Sequence, residues 1–270
     1  MSSEDILTRE PPGMGQRIPY GPEPQQFGDL RLPAGSGPHP VVIGIHGGYW
    51  RARYDLAYFG HVCAALTAAG FATWNCEYRR IGDPGGAWPA TFTDAAAAAD
   101  FLRALAPRYA LDLSRVVAVG HSAGGHLACW LAARRNIPID SPLYTPDPLA
   151  LAGVVALAGV VDLRRAWTLG LSDNATGLLM GGSPAEYPDR YAAGSPYDLL
   201  PLGVRQFLLH GTADSIAPLE LSERYVRRAS AKGDAATLLT LPDVGHFELV
   251  NPVSHVWPTV LSMTTALLGE

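Results

Sequence analysis

The run Val41-Val42-Ile43-Gly44-Ile45 is apolar and rich in β-branched residues, with no alternation of polar and apolar positions. A strand with one face in water must alternate at period two, so this run suits a strand covered on both faces, as in a parallel sheet. Similar runs recur at 72–76, 116–119, 154–157, 207–209 and 237–241. Helix-like segments lie between them at 56–69, 93–106, 126–134 and 219–231, and 256–268 would make a closing helix. Strands alternating with helices specify an α/β fold with a mostly parallel sheet flanked by helices. With 270 residues, 48% of them hydrophobic and 17% charged, the chain can bury one substantial core, so a single domain over residues 1–270 is expected.

Two stretches depart from the alternation. The first forty residues are rich in Pro and Gly, and extended pieces near 17–20 and 26–32 fit edge strands leading into the domain. Residues 162–200 mix Trp167, Met180, the turn Gly181-Gly182-Ser183-Pro184 and several tyrosines, and read as a cap-like insertion. In this architecture functional groups sit at the carboxyl ends of strands, where a cap would line the pocket; a surface excursion that only packs is the competing reading.

A formal net charge of −5 without a basic block gives no surface for neutralising phosphates, which argues against nucleic acid as a partner. Cys63, Cys76 and Cys129 are odd in number and far apart, which suits buried free thiols better than a disulfide framework or a zinc cluster. The start Met1-Ser2-Ser3-Glu4-Asp5 lacks the basic and apolar regions of a secretory signal, and the apolar stretch 149–161 is too short to span a bilayer. The expectation is a cytoplasmic protein with no membrane partner; a homodimer is left open.

The chemistry is concentrated in Gly120-His121-Ser122-Ala123-Gly124, which directly follows the strand-like 116–119 and precedes a helix-like stretch. A Gly-x-Ser-x-Gly sequence between strand and helix makes a sharp turn that pushes the serine hydroxyl into the open, and small neighbours are required around it. A serine hydroxyl is a poor nucleophile at neutral pH, so it needs a histidine to take its proton and a carboxylate to orient that histidine. His246 follows the last strand-like run and Asp214 follows the one before it, so Ser122, Asp214 and His246 stand in the chain order this motif requires. Asp243 is too close to His246 to orient it easily, and Asp162 and Asp198 belong to the cap-like segment. His210 fits a strand end that packs; His39, His61, His126 and His255 have no motif around them.

Acyl transfer also needs backbone donors for the developing oxyanion. His46-Gly47-Gly48-Tyr49-Trp50 follows the strand 41–45, and the amides of Gly48, Tyr49 and Ala123 are the expected donors, with an ordinary Gly-rich turn as the bland alternative. Trp50, His121 and Trp167 are assigned to substrate contacts. Tyr49 and Trp50 with Trp167 or Tyr187 would form an aromatic acyl or leaving-group pocket, unless these aromatics mainly pack the cap onto the core.

From Tyr20-Gly21 to Gly245-His246 the residues resemble the α/β-hydrolase superfamily, in particular the branch of hormone-sensitive-lipase-like esterases and serine-hydrolase arylformamidases. Those esterases usually carry His-Gly-Gly-Gly, whereas Tyr49 and Trp50 give a His-Gly-Gly-x-Trp form similar to kynurenine formamidase. The resemblance implies hydrolysis of a small ester or an activated formamide such as an N-formyl aniline, with no metal and no organic cofactor. Carboxylesterase is the leading expectation and arylformamidase its rival. A catalytically dead hydrolase fold used as a binding module is the rival of another class, and a metallohydrolase fares worst because no compact ligand spacing is present.

Overall fold

The structure is a computed structural model that describes residues 3–10, 12–13 and 15–269. Met1 and Ser2, part of the stretch expected to lack a secretory signal, lie outside the described residues. Eight strands form one sheet: β1 (Gln16–Pro19), β2 (Phe27–Arg31), β3 (His39–Ile45), β4 (Ala72–Cys76), β5 (Leu111–His121), β6 (Gly153–Leu157), β7 (Arg205–Gly211) and β8 (Ala236–Leu241), in the order β1-β2-β4-β3-β5-β6-β7-β8. Both pairings of β2, with β1 and with β4, are antiparallel, and every pairing from β4 to β8 is parallel. This is the mostly parallel sheet expected from the unalternating apolar runs, with the two Pro- and Gly-bounded pieces at its edge.

The helices are α1 (Gly60–Ala68), α2 (Ala90–Asp100), α3 (Leu102–Tyr109), α4 (Ala123–Ala133), α5 (Leu163–Thr168), α6 (Leu171–Met180), α7 (Pro188–Gly194), α8 (Pro196–Leu199), α9 (Glu220–Ala231) and α10 (Trp257–Leu268). Successive strand residues feed opposite faces. Val41, Ile43 and Ile45 belong to one apolar cluster with residues of α2, α3, α4 and α9, whereas Val42 belongs to a second with Val62 and Leu66 of α1 and Val260 of α10. The same division holds in β5, where Val116 and Ala118 face one layer and Val117 and Val119 the other. Each fully buried Val, Leu or Ile contributes roughly 1.5–3 kcal/mol, which is why neither face tolerates the polar alternation of an exposed sheet.

Three helix boundaries differ from the sequence expectation. The helix expected over 56–69 begins only at Gly60; the turn before it is held to the sheet, with the Leu56 amide donating to Glu77 Oε2 (3.1 Å) and the Leu56 carbonyl accepting from Asn75 Nδ2 (3.1 Å) as well as from the Gly60 amide (3.2 Å). The one expected over 93–106 begins at Ala90, directly after Pro89, whose missing N–H costs nothing at a helix start, and is divided at Phe101. The one expected from His126 begins at Ala123, so Ala123-Gly124-Gly125 are the first turn of α4 rather than part of a loop. Residues 162–200 contain four short helices, α5 to α8, between β6 and β7. Among the described residues no helix is long and apolar enough to cross a membrane.

Candidate active site

Ser122 stands between the end of β5 and the start of α4 with φ 55° and ψ −119°, a conformation that ordinary residues avoid and that turns its side chain away from the sheet. The strain is held by backbone crossings that leave no room for side chains. A Cβ on Gly120 would lie 2.1 Å from the Gly124 carbonyl oxygen, and one on Gly124 would lie 2.1 Å from that of Ile45. The Ser122 amide is fixed by the Leu157 carbonyl of β6 at 2.8 Å.

Asp214 follows β7 and His246 follows β8. His246 Nδ1 is 2.6 Å from Asp214 Oδ2, while Asp214 Oδ1 accepts the amides of Ile216 and Ala217, each at 2.9 Å. The carboxylate accepts only, so His246 carries its ring proton on Nδ1 and presents Nε2 as a base. Burial opposes ionisation of Asp214, but hydrogen bonds from His210 and His246 together with the Ala217 amide outweigh it and hold the carboxyl well below the usual range. His210, placed by sequence among packing residues, is fully buried with Nε2 3.5 Å from Asp214 Oδ2.

Ser122 and His246 share a cavity of about 270 Å³ with Gly48, Tyr49 and His121. The Ser122 hydroxyl makes no hydrogen bond to a described residue, and contacts between a nucleophile and its base commonly tighten only around substrate. Gly48 (φ 106°) and Tyr49 (φ 50°) turn left-handed after β3. The Gly47 amide donates to Tyr58 Oη at 2.6 Å, and no backbone or side-chain acceptor among the described residues takes the amides of Gly48, Tyr49 or Ala123.

That loop is braced by residues with no motif of their own. Glu77, at the end of β4, accepts from His46 Nε2 (2.9 Å) and the Tyr78 amide (3.0 Å) through Oε1 and from the Leu56 amide (3.1 Å) through Oε2. Arg80 reaches the same carboxylate at 3.2 Å, and Tyr78 stacks on His46 at 4.5 Å while donating to its carbonyl. Burial works against the Glu77 charge, but His46 and Arg80 more than offset it and lower its proton affinity below the ordinary range. The Tyr49 hydroxyl donates to the Ile216 carbonyl at 2.6 Å, tying the loop after β3 to the Asp214 turn.

Of the three expected substrate contacts, Trp50 and Trp167 are corrected and His121 lines the cavity. Trp50 is fully buried and donates from Nε1 to His126 Nδ1 at 3.2 Å, packing edge-on to that ring. Its φ of 55° turns it away from the cavity and into the core. Trp167 is half-buried against the core, because α5 directs Leu163 and Ala166 inward beside it, and it does not line the cavity; nor does Tyr187, which lies under Arg190. His121 does reach the cavity wall, but Nδ1 is 2.9 Å from Tyr58 Oη and Nε2 3.1 Å from the His246 carbonyl, so both nitrogens are already engaged. From residues 162–200 only Ser172 lines the cavity. The sequence alternatives have structural partners: Asp162 caps α5 and pairs with Arg224, and Asp198 pairs with Arg164. Cys63, Cys76 and Cys129 are free and buried.

The chain is similar to a probable isoprenylcysteine alpha-carbonyl methylesterase of Oryza sativa subsp. japonica, at 28% identity over 86% of this chain and 56% of that protein. It is likewise similar to an isoprenylcysteine alpha-carbonyl methylesterase of Arabidopsis thaliana, at 26% identity over the same shares. The chain thus spans about half the length of the curated relatives it matches. Among solved structures, a truncated carbohydrate esterase from gut microbiota superposes with a TM-score of 0.83 at 22% identity, covering 97% of this chain and 100% of that one. Thermogutta terrifontis esterase 2 phosphonylated by sarin superposes with a TM-score of 0.77 at 21% identity, covering 97% and 96%. These share with the chain the α/β-hydrolase fold that its strand order describes. The BD-FAE family model matches residues 29–228, well over half of the sequence and from β2 into α9, and the chain belongs to the BD-FAE family.

Proposed function

We propose that the protein is a serine hydrolase that cleaves small carboxylic esters through an acyl-enzyme. The observation that carries this reading is the 2.6 Å bond from His246 Nδ1 to Asp214, which leaves Nε2 unprotonated in the cavity that Ser122 opens into. In the first step Ser122 Oγ bonds to the ester carbonyl carbon and its proton passes to His246 Nε2. The oxyanion is taken by the unpaired amides of Gly48, Tyr49 and Ala123. As the tetrahedral centre collapses, the C–O bond to the alcohol breaks and the alcohol leaves with the proton from His246. Water then repeats the sequence on the acyl-serine, releasing the acid and restoring Ser122.

The esterase names of the relatives and of the superposed structures support the ester over the formamide as substrate. The cavity of about 270 Å³ lies just under the roughly 300–1,000 Å³ typical of sites for drug-sized ligands, which favours a short acyl group. The test is turnover of 4-nitrophenyl acetate, butyrate and decanoate and of N-formylkynurenine. Ester turnover that falls with chain length and exceeds formamide turnover supports the reading, and turnover of the formamide far above the acetate would replace it with the arylformamidase.

A further inference from the structure

Four polar groups run in a single line behind the candidate catalytic residues. The Gly47 amide is 2.6 Å from Tyr58 Oη, Tyr58 Oη is 2.9 Å from His121 Nδ1, and His121 Nε2 is 3.1 Å from the His246 carbonyl oxygen. All of them are buried. The two ends fix the direction of every hydrogen. The His246 carbonyl only accepts, so His121 carries its proton on Nε2; Nδ1 of the neutral ring then accepts, so the Tyr58 hydroxyl donates to it; and the Tyr58 oxygen is left to accept from the Gly47 amide. A second proton on His121 would remove the acceptor that Tyr58 needs. Burial first, and the neighbouring His246 imidazole second, push His121 well below the usual histidine range and keep the ring neutral.

The line joins three loops that share no stretch of sequence: the oxyanion turn through Gly47, the serine elbow through His121, and the histidine turn through His246. Gly47 directly precedes the amide of Gly48, and the His246 carbonyl belongs to the residue whose Nε2 is the proposed base. The His121 ring stands 4.4 Å from that of His246 and forms the wall behind it. We infer that His121 and Tyr58 are positioning residues, a hydrogen-bonded bridge that sets the distance between the oxyanion amides and the catalytic base and so governs turnover rather than substrate affinity. The inference rests on the proposed triad.

The test compares Tyr58→Phe, His121→Leu, their double variant and His121→Gln, with kcat and KM measured on 4-nitrophenyl acetate. Displacement of a reacting group by about 1 Å can cost on the order of a hundredfold, so each single change is expected to lower kcat about tenfold to a hundredfold with KM within about threefold. The double variant is expected to be no slower than the slower single one, because either change already cuts the line. His121→Gln keeps an N–H for the His246 carbonyl and is expected to recover part of the loss. Effects that multiply in the double variant, a rise in KM with kcat intact, or a Tyr58→Phe protein as fast as the parent would each overturn the bridge. If His121→Leu does not fold, Tyr58→Phe alone and in combination with His121→Gln gives the same decision. A parent protein with no ester turnover would refute the triad reading itself, whereas parent activity with an unaffected Tyr58→Phe variant refutes only the bridge.

Discussion

His246 Nδ1 lies 2.6 Å from Asp214 Oδ2, and because a carboxylate accepts only, the contact sets the tautomer of the histidine as well as its orientation. Asp214→Asn can offer an N–H in place of that acceptor and would favour the opposite tautomer, with Nε2 protonated and useless as a base. A fall of roughly ten-thousandfold in kcat is expected, with KM little changed, measured on 4-nitrophenyl acetate. An Asp214→Asn enzyme with kcat close to that of the parent would contradict this role.

The same carboxylate makes stability depend on pH. The fold depresses its proton affinity, so its contribution is complete above its unfolded value of about 4 and is lost as pH falls below that toward the depressed native value. The difference in thermal midpoint between the parent and Asp214→Asn is therefore expected to be constant from about pH 5 to 7 and to shrink below about pH 4. A difference that grew on acidification would have the wrong sign.

Glu77 is expected to matter for both stability and rate. Removing one partner from a buried ion pair costs about 3–5 kcal/mol, so Glu77→Gln should be destabilised on that scale in urea unfolding. Loosening both ends of the loop from His46 to Leu56 should lower kcat more than it raises KM. Unchanged unfolding with full turnover would show that the loop does not need this brace.

Trp50 provides a control for specificity. Trp50→Phe leaves His126 Nδ1 unpaired in the core, a loss of roughly 1–3 kcal/mol, while the ratio of acetate to butyrate turnover stays the same because the ring never reaches the cavity. A changed acyl preference would return Trp50 to the pocket wall.

Charge selectivity is expected to depend on Arg53. Among the described residues lining the cavity Arg53 is a cation and no carboxylate is present. Esters carrying a carboxylate should be turned over in preference to cationic ones, and Arg53→Glu should reverse the order, chiefly through KM. Equal KM for both ester classes in parent and variant would show that Arg53 is only a solvated rim residue.

The parallel sheet was legible because unalternating runs such as 41–45 permit few other placements, and the elbow was legible because its glycines sit where backbones cross, with a Cβ on Gly120 or Gly124 falling 2.1 Å from a carbonyl oxygen. The Asp214–His246 pair could be read from chain order after two adjacent strands. The bracing shell could not. Tyr58 and Glu77 act through contacts made only when distant loops converge, and neither stands in a motif. Trp50 misled for a physical reason: its neighbour Tyr49 lines the cavity, but a left-handed turn at both residues sends the two rings to different surroundings, 6.3 Å apart and inclined by 73°.

Turnover through an acyl-enzyme requires that Ser122 become acylated. Incubation with a fluorophosphonate followed by intact-mass and peptide mapping tests it most directly. One adduct per chain on the peptide carrying Ser122, none on a folded Ser122→Ala protein, and a loss of about a millionfold in kcat for that variant are the expected results. A folded parent protein that takes no label, or a Ser122→Ala protein that keeps its turnover, would contradict the account.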